Sequence, residues 1–252
     1  MLHVSGVTKK YGKTLANDSV SLNADAGRIT IMLGPNGAGK STLIKGIAGL
    51  IRFQGEILIG GYANKSLEAK RLLGYVPEMP YVYDMLTVRE HLLFIRKAYG
   101  KPVDDAFAQW EASILDRFEM TDNKDKYGRE LSKGMQQKVS IMCALAADPK
   151  LVIFDEPMVG LDPHAIKQLK LLFTELKDSG AALFISTHMI ESVEGLWDTA
   201  HILMKGKVAA TLSSRDQANL ESLFFSITEK PDEKSIEKPN QKGGAAGERE
   251  AI

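Results

Sequence analysis

The chain has 252 residues, 44% of them hydrophobic and 25% charged, which suits a soluble globular protein of one large α/β domain or two small ones. Lysine plus arginine and aspartate plus glutamate both total 32, so the basic excess of most nucleic-acid-binding proteins is missing. The sequence has no apolar segment long enough to predict a membrane span, no signal-peptide pattern after Met1, and one cysteine, Cys143, which excludes an internal disulfide. We therefore expect a cytoplasmic protein with no nucleic-acid partner.

The first predicted elements surround a glycine-rich loop. Leu2–Val4 and Arg28–Leu33 are predicted strands, and the apolar residues from Leu43 to Leu50 recur at helical spacing. Between strand and helix, the pattern G-x-x-x-x-G-K-[ST] is met without a mismatch by Gly34, Pro35, Asn36, Gly37, Ala38, Gly39, Lys40, Ser41 and Thr42. A strand, this loop and a helix in this order predict a phosphate-binding loop.

The residue types of this loop suit a nucleoside triphosphate with Mg²⁺. Its glycines allow a tight turn that points backbone N–H groups at an anion. Lys40 places a positive charge near the β- and γ-phosphates, and the Ser41 hydroxyl can bind Mg²⁺. The helix that begins here adds the positive end of its dipole.

The middle of the chain changes from strands to helices. After the predicted strands Gly55–Ile59 and Leu73–Val76, residues 79–147 are predicted to be mostly helical. Thr87 and Glu90 have the spacing of a capping box, which predicts a helix start. We interpret residues 79–147 as a helical insert carried by the nucleotide-binding core.

A capped helix start also lies near the end of this insert, in Leu131-Ser132-Lys133-Gly134-Met135. Ser132 is a good N-cap residue, and Gly134 permits close backbone approach. A helix start of this kind favours an anion, although any capped helix has a similar sequence.

Two carboxylates follow the next predicted strand, Leu151–Phe154. A strand delivers its last residues to the rim of the sheet, where ligands bind in α/β folds. Asp155 is placed there to hold Mg²⁺, and Glu156 to orient or polarise an attacking water. His188 ends another predicted strand, Ala182–Ser186, and could reach a γ-phosphate at the same rim.

The remaining elements complete the domain. Asp162 and Pro163 predict a helix start, as N-cap and first residue, and Ala200–Met204 and Lys207–Ala210 are predicted strands. Residues 229–252 are rich in Glu, Lys, Pro and Gly and predict a disordered polar tail. Because no internal repeat is present, we expect one nucleotide-binding domain over residues 1–228.

The order and spacing of these motifs resemble the ATP-binding subunit of ATP-binding cassette (ABC) transporters, from about Val4 to Thr228. The resemblance implies an α/β fold: a P-loop NTPase core with a mixed sheet, an ABC-type helical subdomain at 79–147 and a small antiparallel β part. Leu131–Met135 is similar to the family's signature motif, and Gly160–Pro163 to its D-loop.

The same resemblance implies residue roles. His188 matches the switch histidine, and Tyr11 matches the aromatic residue that stacks on adenine. ATP would be bound by the phosphate loop together with Tyr11, Ser132, Gly134 and Asp162. Mg²⁺ would be bound by Ser41, Asp155 and Glu78.

Two positions depart from the family's usual pattern. Lys133 and Met135 stand in a signature that commonly reads LSGGQ, and Gln136 could replace the missing amide. Glu78 stands where the family usually has glutamine, which adds negative charge beside the triphosphate. The runs Gly74–Leu92 and Leu131–Lys138 resemble the ABC-2-type exporter branch.

The family's mechanism implies a head-to-tail pair of cassettes with ATP between the phosphate loop of one and the signature helix of the other. Hydrolysis would open the pair and drive export through separate membrane subunits. An importer ATPase and a soluble ABC protein acting on ribosomes or DNA remain alternatives, as does a degenerate regulatory cassette, which intact Lys40, Glu156 and His188 disfavour.

Overall fold

The computed structural model describes residues 1–215 and 220–228. The predicted tail, 229–252, lies outside the described residues, so its disorder stays a prediction. No described helix is both long and apolar enough to cross a membrane.

A mixed six-stranded sheet forms the centre of the molecule. Its strands, in chain order, are β3 (Ile29–Leu33), β6 (Leu73–Val76), β7 (Leu151–Asp155), β8 (Ala182–Thr187), β9 (Thr199–Met204) and β10 (Lys207–Ser213). Their spatial order is β10-β9-β3-β8-β7-β6, and all pairs are parallel except β9 with β10. β3, β7 and β8 are buried along their whole length, as expected for strands covered on both faces. Their carboxyl ends therefore meet at one rim.

A four-stranded antiparallel sheet packs on one face of the central sheet. It contains β1 (Leu2–Tyr11), β2 (Thr14–Ala24), β4 (Gln54–Ile59) and β5 (Tyr62–Ala63), in the order β2-β1-β4-β5. The sequence prediction ended β1 at Val4 and missed β2 and β5. β2 buries alternate residues from Val20 onward, but its polar first half has no apolar alternation to reveal it.

Seven described α-helices complete the fold. They are α1 (Lys40–Ile47), α2 (Leu67–Leu72), α3 (Val88–Ala98), α4 (Asp105–Arg117), α5 (Lys133–Ala146), α6 (Pro163–Asp178) and α7 (Leu220–Thr228). Apolar side chains of α1 lie between the two sheets, while those of α3 to α7 pack on the opposite face of the central sheet. The α/β architecture with a mixed sheet and an antiparallel part is thus confirmed.

The segment between β6 and β7 contains α3, α4 and α5, with no strand beyond one isolated bridge between Thr87 and Tyr127 among its described residues. The predicted capping box is present: Glu90 N–H donates to Thr87 Oγ1 at 3.2 Å, and Thr87 N–H to Glu90 Oε2 at 2.8 Å. Cys143, on α5, packs against the core, and burial raises the pKa of its thiol to about 12. The thiol is therefore a packing group and not a reactive one.

Candidate functional site

A cleft of about 630 Å³ opens at the rim where β3, β7 and β8 end. Predicted site residues line much of it: Asn36, Gly37, Gly39, Lys40, Ser41, Thr42, Glu78, Glu156 and His188. Residues far apart in the sequence thus come together because parallel strands deliver them to one rim.

The glycines at the two ends of the phosphate loop are required by close packing. A Cβ on Gly34 would lie 2.4 Å from the carbonyl oxygen of Leu203 in β9. A Cβ on Gly39 would lie 2.2 Å from the carbonyl oxygen of Ala16, and its φ of +106° is one that other residues rarely adopt. A side chain at Gly34 would force the loop away from β9, and one at Gly39 would force it away from β2.

Lys40, the first residue of α1, is buried in the loop. Its Nζ donates to the carbonyl oxygens of Gly34 at 2.7 Å and Pro35 at 3.3 Å. It also lies 3.6 Å from Glu156 Oε1, with both side chains more than 90% buried. The ammonium group is thus held at the loop centre, where an incoming phosphate would meet it.

Asp155 lies beneath the cleft at the end of β7. Its Oδ1 accepts hydrogen bonds from Ser186 Oγ at 2.5 Å and Ser41 Oγ at 3.4 Å. Burial raises the pKa of Asp155, the negative charges of Glu78 and Glu156 add to that rise, and the two serine hydroxyls oppose it. A cation here would favour the ionised carboxylate.

The side-chain oxygens of Ser41 and Asp155 are suitable ligands for Mg²⁺. Ser41 and Asp155 offer a hydroxyl and a carboxylate, and exposed Glu78 lies near enough to affect the pKa of Asp155. Within the described chain, no group of three or more His, Cys, Asp or Glu residues could hold a metal alone. This suits Mg²⁺, which is usually held by one or two protein oxygens together with substrate phosphates and water.

Glu156 follows β7 in an unusual backbone conformation. Its φ is +49°, while its N–H donates to the Ser186 carbonyl at 3.1 Å. A non-glycine residue in this region stores strain and is often functional. Its Oε1 lies 3.0 Å from His188 Nδ1, so Glu156 is shared between His188 and Lys40.

The predicted signature residues lie outside the cleft lining. Ser132 is exposed and caps α5 by accepting from Met135 N–H at 3.3 Å. A Cβ on Gly134 would lie 2.8 Å from the Gly160 carbonyl oxygen, so the predicted close approach occurs, but to the loop after Glu156. The Gln136 amide donates to the carbonyl oxygens of Gly128 and Leu131 at 3.4 Å.

The next turn of α5 also contacts the loop that follows Glu156. Gln137 Nε2 donates to the Pro157 carbonyl at 3.4 Å, and Lys138 Nζ lies 3.0 Å from Asp162 Oδ2. Asp162 also caps α6, accepting from Ala165 N–H at 2.8 Å, as predicted. This backbone bond, followed by the Lys138 interaction, lowers the pKa of Asp162. Asp162 is not among the residues lining the cleft.

Tyr11 lies at the end of β1 and is 48% exposed, with Lys9 Nζ 4.8 Å from its ring centre. It pairs with Thr14, which lines the cleft, although Tyr11 itself does not. The structure therefore places the predicted adenine residue beside the cleft and not in its wall.

The family model described as ABC transporter matches residues 17–159, more than half of the chain. The chain belongs to the ABC transporter family. It is 36% identical over 239 residues to the ABC-type transporter ATP-binding protein EcsA of Bacillus subtilis (strain 168), covering 90% of this chain and 96% of EcsA. It is 31% identical over 216 residues to the lipopolysaccharide export system ATP-binding protein LptB of Haemophilus influenzae, covering 84% and 90%.

Solved structures agree with this assignment. An ATP-binding subunit of an ABC transporter superposes with a TM-score of 0.84 at 34% identity, covering 90% of this chain and 99% of that one. A dimeric ATP-binding cassette in a post-hydrolysis state, bound to ADP and Pi, superposes with a TM-score of 0.75 at 26% identity, covering 84% and 98%. The chain is thus the ATP-binding, ATP-hydrolysing subunit of an ABC transporter.

Three hydrogen bonds at the site were not predicted from the sequence. Ser186 binds Asp155, Gly206 N–H donates to the Ala38 carbonyl at 2.9 Å, and Asn17 Nδ2 donates to the Gly39 carbonyl at 3.1 Å. A two-residue turn at Lys205-Gly206 could be read from the sequence, but its contact with the phosphate loop depends on the pairing of β9 with β3.

Proposed function

We propose that this ABC ATPase drives export through separate membrane subunits, acting at the cytoplasmic face of the membrane. The relative LptB is named for an export system, and the runs Gly74–Leu92 and Leu131–Lys138 resemble the exporter branch. The observation that carries the proposal is the division of the ATP site: one cleft gathers the charged groups, while the signature residues of the same chain lie outside its lining.

This division supports a pair of cassettes with ATP between them. Ser132 and Gly134 of one chain would supply hydrogen-bond donors to the γ-phosphate held by Lys40 of the other. Each ATP would then contact two chains, and its hydrolysis would remove the contacts that hold the two chains together. A difference in affinity of about 3–5 kcal/mol between closed and open pairs would shift their populations strongly.

Within each cleft, the side chains divide the chemistry. Lys40 would bind the β- and γ-phosphates, and the phosphates would replace the carbonyl and Glu156 contacts that Lys40 makes here. Glu156 would then orient the attacking water, with His188 beside it near the γ-phosphate. Ser41, Asp155 and Glu78 would hold Mg²⁺, which supplies charge neutralisation, and Tyr11 would stack on the adenine.

An exposed apolar surface supports a membrane-subunit partner. Met79, Tyr81 and Met85 are 74%, 79% and 64% exposed. The ring of Tyr83 lies 5.9 Å from those of both Tyr81 and Phe94, so this surface continues onto α3. A groove of about 450 Å³ also runs between α2 and the end of α3, past Leu67 and Tyr99. Exposed apolar patches of this kind mark interaction sites. Since Met79 follows Glu78 in the chain, a partner bound here would sense the nucleotide cleft.

The experiment that tests this function is co-purification from detergent-solubilised membranes, using the tagged full chain and a Met79→Ser/Tyr81→Ser variant. We expect the parent chain to retain a polytopic membrane protein and the variant to lose it while still binding ADP. Recovery with ribosomes alone would contradict the transport function. Recovery with a permease that depends on an external substrate-binding protein would instead indicate import.

A further inference from the structure

Asn17, on β2, is a buried polar residue beside the phosphate loop. It is fully buried, and its Nδ2 donates to the Gly39 carbonyl at 3.1 Å. That carbonyl already accepts the first hydrogen bond of α1, from Leu43 N–H at 3.0 Å. Helix α1 therefore does not need Asn17 in order to begin.

The other end of the Asn17 amide is not satisfied. Asn17 Oδ1 is buried, and no group in the described part of the chain donates to it. A buried acceptor without a donor costs free energy, which an apolar residue would avoid. Asn17 is therefore a poor choice for stability alone, and such groups call for another explanation.

Three segments meet at this point. Asp18 N–H donates to the Gly206 carbonyl, and Gly206 N–H to the Ala38 carbonyl, each at 2.9 Å. Together with the amide of Asn17, these bonds tie β2 and the β9–β10 turn to Ala38 and Gly39. They hold the loop where Gly39 adopts its left-handed φ of +106°.

We propose that Asn17 is a positioning residue that fixes the Ala38–Gly39 end of the phosphate loop in its anion-binding shape before nucleotide arrives. A loop with several glycines otherwise loses conformational entropy when it closes on a phosphate. Preorganisation removes this cost and raises affinity. The proposal rests on the assignment of residues 34–42 as the phosphate-binding loop.

Asn64 provides a matched control at the other end of α1. It is also buried, 5% exposed, and its Nδ2 donates to the carbonyls of Gly46 at 2.7 Å and Ile47 at 3.2 Å. Both asparagines therefore bond backbone carbonyls at an end of α1, but only Asn17 lies at the phosphate end. An amide that merely supports α1 would behave alike at either position.

The test compares Asn17→Ala, Asn17→Asp, Asn64→Ala and Lys40→Ala in the full chain. Calorimetry with Mg-ADP measures affinity, thermal unfolding measures stability, and turnover at saturating ATP is assayed with the membrane partner. For Asn17→Ala we expect about tenfold weaker Mg-ADP binding, with turnover within about twofold of the parent and a melting temperature within about 3 °C of it. Asn17→Asp should bind still more weakly, because its carboxylate meets the Gly39 carbonyl and lies beside the phosphates.

Asn64→Ala should show the opposite pattern. It leaves the Ile47 carbonyl without the amide, so the melting temperature should fall by more than about 3 °C while affinity stays within about twofold. Affinity within twofold of the parent for both Asn17 variants would overturn the proposal, as would failure of both to fold. If Lys40→Ala also bound Mg-ADP normally, the phosphate-loop assignment itself would be wrong. If Lys40→Ala lost binding while both Asn17 variants kept it, only the proposed role of Asn17 would be wrong.

Discussion

Two helix starts in this cassette are proposed to contact ATP, and their surroundings differ. Around the start of α1, charged side chains from separate strands converge on one cleft, with Lys40 and Glu156 3.6 Å apart. At the start of α5, the polar side chains bond within their own chain instead: Ser132 accepts from Met135 N–H at 3.3 Å, and one turn later Lys138 lies 3.0 Å from Asp162. In the proposed function, the first region would act on the phosphates, and the second would offer its helix start to the nucleotide of a second cassette.

The largest expected effect is in the first region. Glu156→Gln should lower ATP hydrolysis by roughly 10³-fold, because an amide cannot accept a proton from the attacking water. Nucleotide binding should persist, since the substitution leaves Lys40 and the phosphate-loop backbone in place to bind the phosphates. Phosphate release with the membrane partner and calorimetry with Mg-ADP measure the two effects. Glu191→Gln, an exposed acidic residue nearby, is the control, and normal turnover of Glu156→Gln would refute its role.

The next effect separates the second region from the first. Gly134→Ala places a Cβ 2.8 Å from the Gly160 carbonyl oxygen, so the start of α5 and the loop after Glu156 must move apart. We expect hydrolysis to fall by about 10²-fold, while the isolated chain binds Mg-ADP with unchanged affinity. A matching loss of Mg-ADP affinity would show that Gly134 acts on the nucleotide of its own chain, which would break the comparison.

The Lys138–Asp162 pair should respond asymmetrically, because Lys138 is 8% exposed and the Asp162 side chain 48%. Asp162→Asn leaves a buried ammonium group without its anion, whereas Lys138→Met leaves a carboxylate that water can solvate. Because Asp162 is partly exposed and solvent screens its charge, Asp162→Asn should lower the unfolding free energy by only about 1–2 kcal/mol, and Lys138→Met by less. Thermal unfolding of both variants, with Lys138→Arg as control, measures the difference.

The pH dependence of this pair has a defined sign. The lowered pKa of Asp162 means that its stabilisation is present above the unfolded pKa of about 4 and is lost as pH falls through the folded value. The difference in unfolding free energy between the parent and Asp162→Asn should therefore be constant near neutral pH and become smaller in acid. A difference that widens in acid would contradict a stabilising role for ionised Asp162, whose pKa is lowered first by the Ala165 N–H bond and then by Lys138.

The sequence predicted the parts of both regions that obey local rules. The phosphate-loop pattern, the Ser132 and Asp162 caps and the capping box at Thr87 depend on residues a few positions apart, and the hydrogen bonds of all three caps are present. β2 was missed because its first half is recognisable only through pairing with β1. The contacts of Asn17 and Gly206 with the phosphate loop could not be predicted, because they join segments that only the folded sheets bring together.

The smallest effect concerns Glu78, which joins the cleft to the exposed apolar surface. Its charge raises the pKa of Asp155, although less than burial does, and it would also repel the phosphates. Glu78→Gln should bind ADP about two- to fivefold more tightly in EDTA, since a solvent-screened charge contact is worth about 0.5–1 kcal/mol. The same variant should need more Mg²⁺ for half-maximal hydrolysis, because a ligand oxygen has lost its charge. Glu68→Gln, an exposed glutamate on α2, should change neither quantity, and an unaltered Mg²⁺ requirement in Glu78→Gln would remove Glu78 from the metal site.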